Sequence, residues 1–160
     1  MRVAFALLAE AAMILPDSRF SILGGDIFAF TFPAFPVAAP MVVVVTKFEF
    51  MPEEVSHQQS YVVRVDAVGP LMADGQNSII RSLEQTVQPQ PRPEGFEDIA
   101  PAHGIIAPFP ILVFPEPGRY EFVIQVNGEV QSRLPLHVLL QNTQQPELLP
   151  DADDVPPSQP

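Results

Sequence analysis

The sequence predicts an all-β chain folded as a two-sheet antiparallel β-sandwich, with eight or nine short strands and little helix. Three observations carry this. Apolar and polar residues alternate with period two in several runs, and no helical period is sustained. Gly-containing turn signals separate those runs. Pro makes up 20 of 160 residues, and an interior Pro costs a helix about 3 kcal/mol, which excludes long helices. Sheets with one apolar face must bury it, and stacking two of them is the economical solution.

Taken in order, the stretch from Leu7 to Leu15 is open between a short helical turn, favoured by its Ala, Leu, Met and Glu, and a strand. Phe20–Leu23 and Asp26–Phe30 flank Gly24-Gly25 and read as a hairpin. Met41–Phe50 is a β-branched run whose first half is apolar on both faces, the mark of a covered strand. In Tyr61–Ala67 one face carries Tyr61, Val63, Val65 and Ala67, and the other Val62, Arg64 and Asp66. Asp74-Gly75 then leads to Ser78–Leu83, a second hairpin candidate. Ile111–Phe114 is a short strand closed by Pro115–Gly118. Tyr120, Phe122, Ile124 and Val126 share the next face. Asn127-Gly128 follows, the strongest short hairpin signal, because both central residues of a type I′ turn need φ > 0. Leu134, Leu136, Val138 and Leu140 form one face of the last strand. Tyr120 stands just after the Pro117-Gly118 turn, the place of the tyrosine corner in Greek-key sandwiches, where the hydroxyl bonds backbone upstream.

Composition also bounds function. With 8 Lys+Arg against 19 Asp+Glu the net charge is −11, which argues against neutralising nucleic-acid phosphates. The absence of Cys removes disulfides, thiolate metal sites and Cys nucleophiles. Residues 141–160 hold four acids, five Pro and no base, so a folded domain over 1–140 and a disordered acidic tail over 141–160 are expected. Arg2 followed by the apolar run Val3–Ala9 has the makeup of a short secretory signal. Cleavage there would discard a strand-length segment. Cytoplasmic residence is therefore expected, with secretion as the alternative.

Chemistry-bearing patterns are sparse. Glu53, Glu54 and His57 lie within five residues, but between two strands, as a solvated loop would. His103 is loop-like, and His137 alternates outward on the last strand. Asp66 with Asp74, and Glu94 with Glu97 and Asp98, read as solvated acids without calcium-site spacing. No Ser sits in a G-x-S-x-G elbow. No catalytic, metal or cofactor residue is assigned. Two segments are candidates for partner contacts. One is the aromatic-Pro stretch 28–40, with Phe32, Phe35 and Pro36. The other is the Pro-rich connection 88–110, with Pro91, Pro93 and Phe96, which reads as extended polyproline-type backbone.

Three places, Phe5–Ala12 with Phe20–Gly25, Tyr61–Val68 with Asp74-Gly75, and Pro117–Phe122 with Asn127-Gly128, together resemble a family of small uncharacterised bacterial proteins, known as a domain of unknown function. The resemblance spans most of residues 1–140. It implies an Ig-like or C2-like sandwich whose first strand starts near Met1, and it transfers no functional residue. The resulting expectation is a non-catalytic protein-interaction or structural module. Its partners would be another protein or a second copy, with no nucleic acid, membrane span or cofactor. A carbohydrate- or calcium-binding sandwich is the alternative, followed by an enzyme with a dispersed site.

Overall fold

The computed structural model describes residues 1–57, 59–71, 77–89 and 101–141. The tail expectation and the Asp74-Gly75 turn lie outside those residues. Within them the chain is all-β, with twelve strands and one short helix. In chain order these are β1 (Arg2–Ala9), β2 (Ala11–Ile14), β3 (Phe20–Leu23), β4 (Ala29–Phe32), β5 (Val37–Ala39), β6 (Val42–Glu49), α1 (Pro52–Ser56), β7 (Tyr61–Leu71), β8 (Asn77–Val87), β9 (Ala102–Phe109), β10 (Leu112–Phe114), β11 (Gly118–Val126) and β12 (Glu129–Leu140). The expected eight or nine strands fall short of the observed twelve because β2 and β5 are only four and three residues long and β9 lies within the expected Pro-rich connection.

A three-stranded antiparallel sheet has the order β1-β6-β9, and a five-stranded sheet the order β4-β12-β11-β7-β8. Two small ribbons, β2-β3 and β5-β10, complete the described fold. The Val42–Val45 run is apolar on both faces because β6 is the central strand of the first sheet and both of its faces are covered. On one side Val44 and Phe48 join a cluster with Phe109 of β9, Val65 of β7, Phe122 of β11 and Leu136 of β12. On the other side Val43, Val45 and Ala9 are packed under Phe5, Phe20 and Ile106. Ala-rich β1 and β2 are strands, not helix. Pairing β1 along the Val run of β6 outweighs the small intrinsic preference of Ala for helix.

Three sequence readings are corrected. Phe20–Leu23 pairs with β2, not with the residues after Gly24-Gly25. The reversal lies at residues 15–19, where Ser18 takes φ 61° and its N–H donates to the Leu15 carbonyl. The segment after Gly24-Gly25 becomes β4, which runs parallel to β12. Second, the C-terminal part of connection 88–110 is a strand: β9 pairs with β6 from Ala102↔Glu49 to Phe109↔Val42. Pro108 is tolerated because β9 is an edge strand, where a missing N–H removes no ladder bond. Third, the expected loop at Glu53–His57 is mostly α1. Pro52 opens it, and Glu54 Oε2 accepts the Met51 N–H at 2.6 Å as a cap.

The β11–β12 turn has Asn127 at φ 49° and Gly128 at φ 84°, the signs a type I′ turn demands. Asn127 also anchors the turn sideways. Its N–H donates to the Val62 carbonyl at 2.8 Å, and its Oδ1 accepts the Val62 N–H at 2.9 Å. Tyr120, fully buried, donates its hydroxyl to the Glu116 carbonyl at 2.7 Å. Burial pushes the Tyr120 phenol up from its ordinary pKa, only partly opposed by the Glu116 backbone bond. Removing that hydroxyl deletes a bond donated by a buried side chain to the exposed turn at Glu116. Tyr120→Phe is therefore expected to cost about 1–2 kcal/mol in a urea melt, and an unchanged midpoint would show that the bond contributes nothing.

Candidate functional site

The most concentrated polar cluster described lies on the five-stranded sheet. Strand alternation puts Arg64 and Asp66 on the face of β7 opposite Val63 and Val65. Registers bring Ser82 of β8 opposite Asp66 and Gln125 of β11 opposite Arg64. Asp66 is only 2% exposed. Its Oδ1 accepts from Arg64 Nε at 2.8 Å and from the Ser82 hydroxyl, and its Oδ2 accepts from Gln125 Nε2 at 2.8 Å. Arg64 Nη2 in turn donates to Ser82 Oγ at 3.2 Å. The hydrogen bond to Asp66 holds the Arg64 guanidinium above its ordinary pKa, with the two opposite charges adding to it. The expectation that Asp66 is a solvated acid is thus corrected: it lies mid-strand, covered by donors from its own strand and from both neighbours. Those donors occupy both carboxylate oxygens, so the cluster ties three strands together.

A second cluster gathers at α1. Glu54 Oε1 accepts from the Tyr61 hydroxyl at 2.6 Å and pairs with the Met1 ammonium. Burial alone would raise the Glu54 pKa, but the ammonium, Tyr61 and Met51 donors together outweigh it and lower it. Tyr61 is pushed up to about 12, first by burial and then by the carboxylate at its hydroxyl.

The residues singled out from sequence scatter. Phe32 and Phe35 are half-buried and pack on the main core, their rings 6.2 Å apart, and Phe32 also meets Phe114. Pro36 is exposed. Pro91, Pro93 and Phe96 lie outside the described residues. Phe28, with the same strand parity as Phe30, is instead 70% exposed because β4 begins only at Ala29. His57 follows α1, and its Nδ1 lies 2.6 Å from the Glu53 carbonyl. His103 is half-buried on β9, where burial holds its pKa below the ordinary imidazole value. His137 is exposed on β12. Among the described residues no three His, Asp or Glu side chains group as a metal site would.

One feature had no sequence signal. The β2–β3 ribbon covers the outer face of the three-stranded sheet, and at its tip the cover opens over Lys47. A cavity of about 320 Å³ results, lined by Ile14, Ser18, Phe20, Lys47, Ala102, His103 and Gly104. Lys47 shares its face with Val45 and stands between Phe5 of β1 and Gly104 of β9. Gly104 has a definite role there. A Cβ at that position would sit 2.5 Å from Phe20 Cζ, so any other residue forces the Phe20 ring to shift where the ribbon closes onto the sheet. Parity places the His103 ring with Phe48 and Ile105 on the opposite face, so His103 lines the cavity through its backbone.

A model of a family of unknown function, DUF6941, matches residues 4–139. No curated relative matches the chain. A solved structure, "Pseudomonas fluorescens alkylpurine DNA glycosylase AlkC bound to DNA containing an abasic site analog", is similar over 84% of this chain and 30% of that one, at 12% identity and TM-score 0.41. The chain thus spans less than a third of that protein. The expected partners are another protein or a second copy, with nucleic acid excluded on charge, and that exclusion is corrected by this finding. The similar structure holds DNA, and the exclusion is withdrawn. At that TM-score the likeness carries no further argument about what this chain binds. Among the described residues no helix is long and apolar enough to cross a membrane.

Proposed function

We propose, for a chain that belongs to the family of unknown function DUF6941, a non-catalytic β-sandwich module that acts through shape and binding and not through covalent chemistry. The observation that carries this reading is that the hydrogen-bonded polar side chains of the interior serve the fold, while the buried Thr46 hydroxyl on β6 has no partner among the described residues. Asp66 joins three strands, Glu54 holds Tyr61, and Tyr120 holds its own turn. The three His sit on α1's end, β9 and β12. An Ig-like or C2-like sandwich is supported by the hydrophobic cluster shared between the two larger sheets and by the Tyr120 bond to Glu116. Cytoplasmic residence belongs to the same proposal, supported by the pairing of Arg2–Ala9 along β6.

Purified chain presented with chromogenic carboxylic esters, phosphate esters and glycosides is expected to show no turnover above a buffer blank. Turnover that is lost in His103→Ala or His57→Ala would overturn the non-catalytic reading. A second reading, a ligand-binding module, has one observation behind it: the open cavity over Lys47. A cationic floor disfavours Ca²⁺ as the guest.

A further inference from the structure

We infer that the cavity over Lys47 is a binding site for a small organic carboxylate with a short apolar body. The inference deepens the ligand-binding reading and rests on it. Four observations converge. The cavity, about 320 Å³, is at the lower end of what small-molecule sites occupy. Its walls, Ile14 and Phe20, are apolar, and Phe20 is held in place edge-on to Phe5 at 5.4 Å. The Lys47 ammonium has no hydrogen-bond or ion-pair partner among the described residues, although the chain carries a large excess of acids. The neighbouring acid on the same strand face, Glu49, is already engaged by Arg2 at 2.7 Å. Asp17, beside Ser18 at the ribbon tip, is engaged by Arg19 at 2.6 Å.

An unpaired cation beside apolar walls selects a ligand with one anionic end and one hydrocarbon end. Lysine offers a single point charge, which suits one carboxylate. A phosphate dianion is better met by the fork of arginine or by converging backbone N–H groups. Ser18 also lines the cavity, and a serine hydroxyl is a donor suited to the second carboxylate oxygen. The apolar body then lies between Ile14 and Phe20, above Gly104, where any side chain would displace Phe20.

The test is calorimetric titration of the full chain with hexanoate, its neutral analogue hexanamide, and inorganic phosphate, with Lys47→Gln and Lys47→Arg alongside. Hexanoate is expected to saturate and to bind about tenfold more tightly than hexanamide, the worth of one charge-assisted bond. Lys47→Gln should remove that advantage at an unchanged melting temperature, and Lys47→Arg should keep most of it. Hexanoate and hexanamide binding equally, or hexanoate binding unaffected by Lys47→Gln, would overturn the carboxylate inference while the ligand-binding reading stands. Phosphate binding as tightly as hexanoate would overturn the need for an apolar body. No saturable binding of any probe would sink the inference and the reading together.

Discussion

Asp66→Ala is expected to destabilise the chain by about 2–4 kcal/mol, seen as a lower urea midpoint with an unchanged slope. The physical reason is what the substitution leaves behind. Arg64 Nε, the Ser82 hydroxyl and Gln125 Nε2 all aim at one buried carboxylate. Without it, half-buried Gln125 loses its acceptor, while exposed Ser82 turns to water. Arg64 keeps 41% of its side-chain surface exposed and recovers hydration, which places the cost below that of breaking a fully enclosed ion pair. Asp66→Asn separates charge from geometry. Its one carbonyl oxygen still accepts from Arg64 or Ser82, and Gln125 turns its amide over to meet the new NH₂. About 1–2 kcal/mol is expected to be lost. A double-mutant cycle of Asp66→Ala with Gln125→Ala should return a coupling of about 0.5–1.5 kcal/mol, since the two share a bond across β7 and β11. Asp66→Ala within about 0.5 kcal/mol of the parent would mean that the cluster is an ordinary solvated surface.

What alternation shows about Asp66 is its face, and what it hides is its neighbours. The pattern Tyr61–Ala67 places Arg64 and Asp66 opposite the core residues, as found. Burial of Asp66 depends on Ser82 and Gln125, which only the registers of β8 and β11 supply. The same division runs through the fold. Asn127-Gly128, the Tyr61 strand and the double-faced Val run are local patterns, and each was legible. β4 beside β12 is a parallel pairing of segments about a hundred residues apart, and nothing local announces it. Gly24-Gly25 looked like a hairpin turn, yet the working reversal is the Pro16-Asp17-Ser18 step. There Asp17 Oδ1 accepts the Arg19 N–H at 3.2 Å, a local turn bond that competes with no strand. The cavity over Lys47 was invisible for a similar reason. A single Lys on a strand carries no motif, and its setting is made by Phe20 and Gly104, which come from two other strands.

Phe109 gives the sharpest separation between what the sequence suggested and what the fold requires. By local pattern it sits between Pro108 and Pro110 in a Pro-rich connection, and truncating a loop side chain changes stability by less than about 0.5 kcal/mol. In the structure it is the last residue of β9, opposite Val42, and its side chain is fully buried. Its ring meets Phe122 of β11 edge to face at a centroid distance of 5.1 Å and an angle of 76°, so the contact joins the three-stranded sheet to the five-stranded one. Phe109→Ala removes that ring from water-free packing and leaves a cavity that two sheets, each pinned by its own ladder, close only in part. The expected loss is about 3–5 kcal/mol, a large share of the roughly 5–15 kcal/mol that holds such a domain folded. Phe109→Leu refills most of the volume and forfeits the edge-to-face contact, so about 1–2 kcal/mol is expected. Both variants are read in one urea series with Phe122→Leu, and because the two rings touch, the double variant should cost less than the sum of the singles. An Ala variant as stable as the parent would return residues 102–109 to the status of a loop. A graded loss from Leu to Ala, non-additive with Phe122, requires that this Pro-flanked strand carry the contact between the sheets.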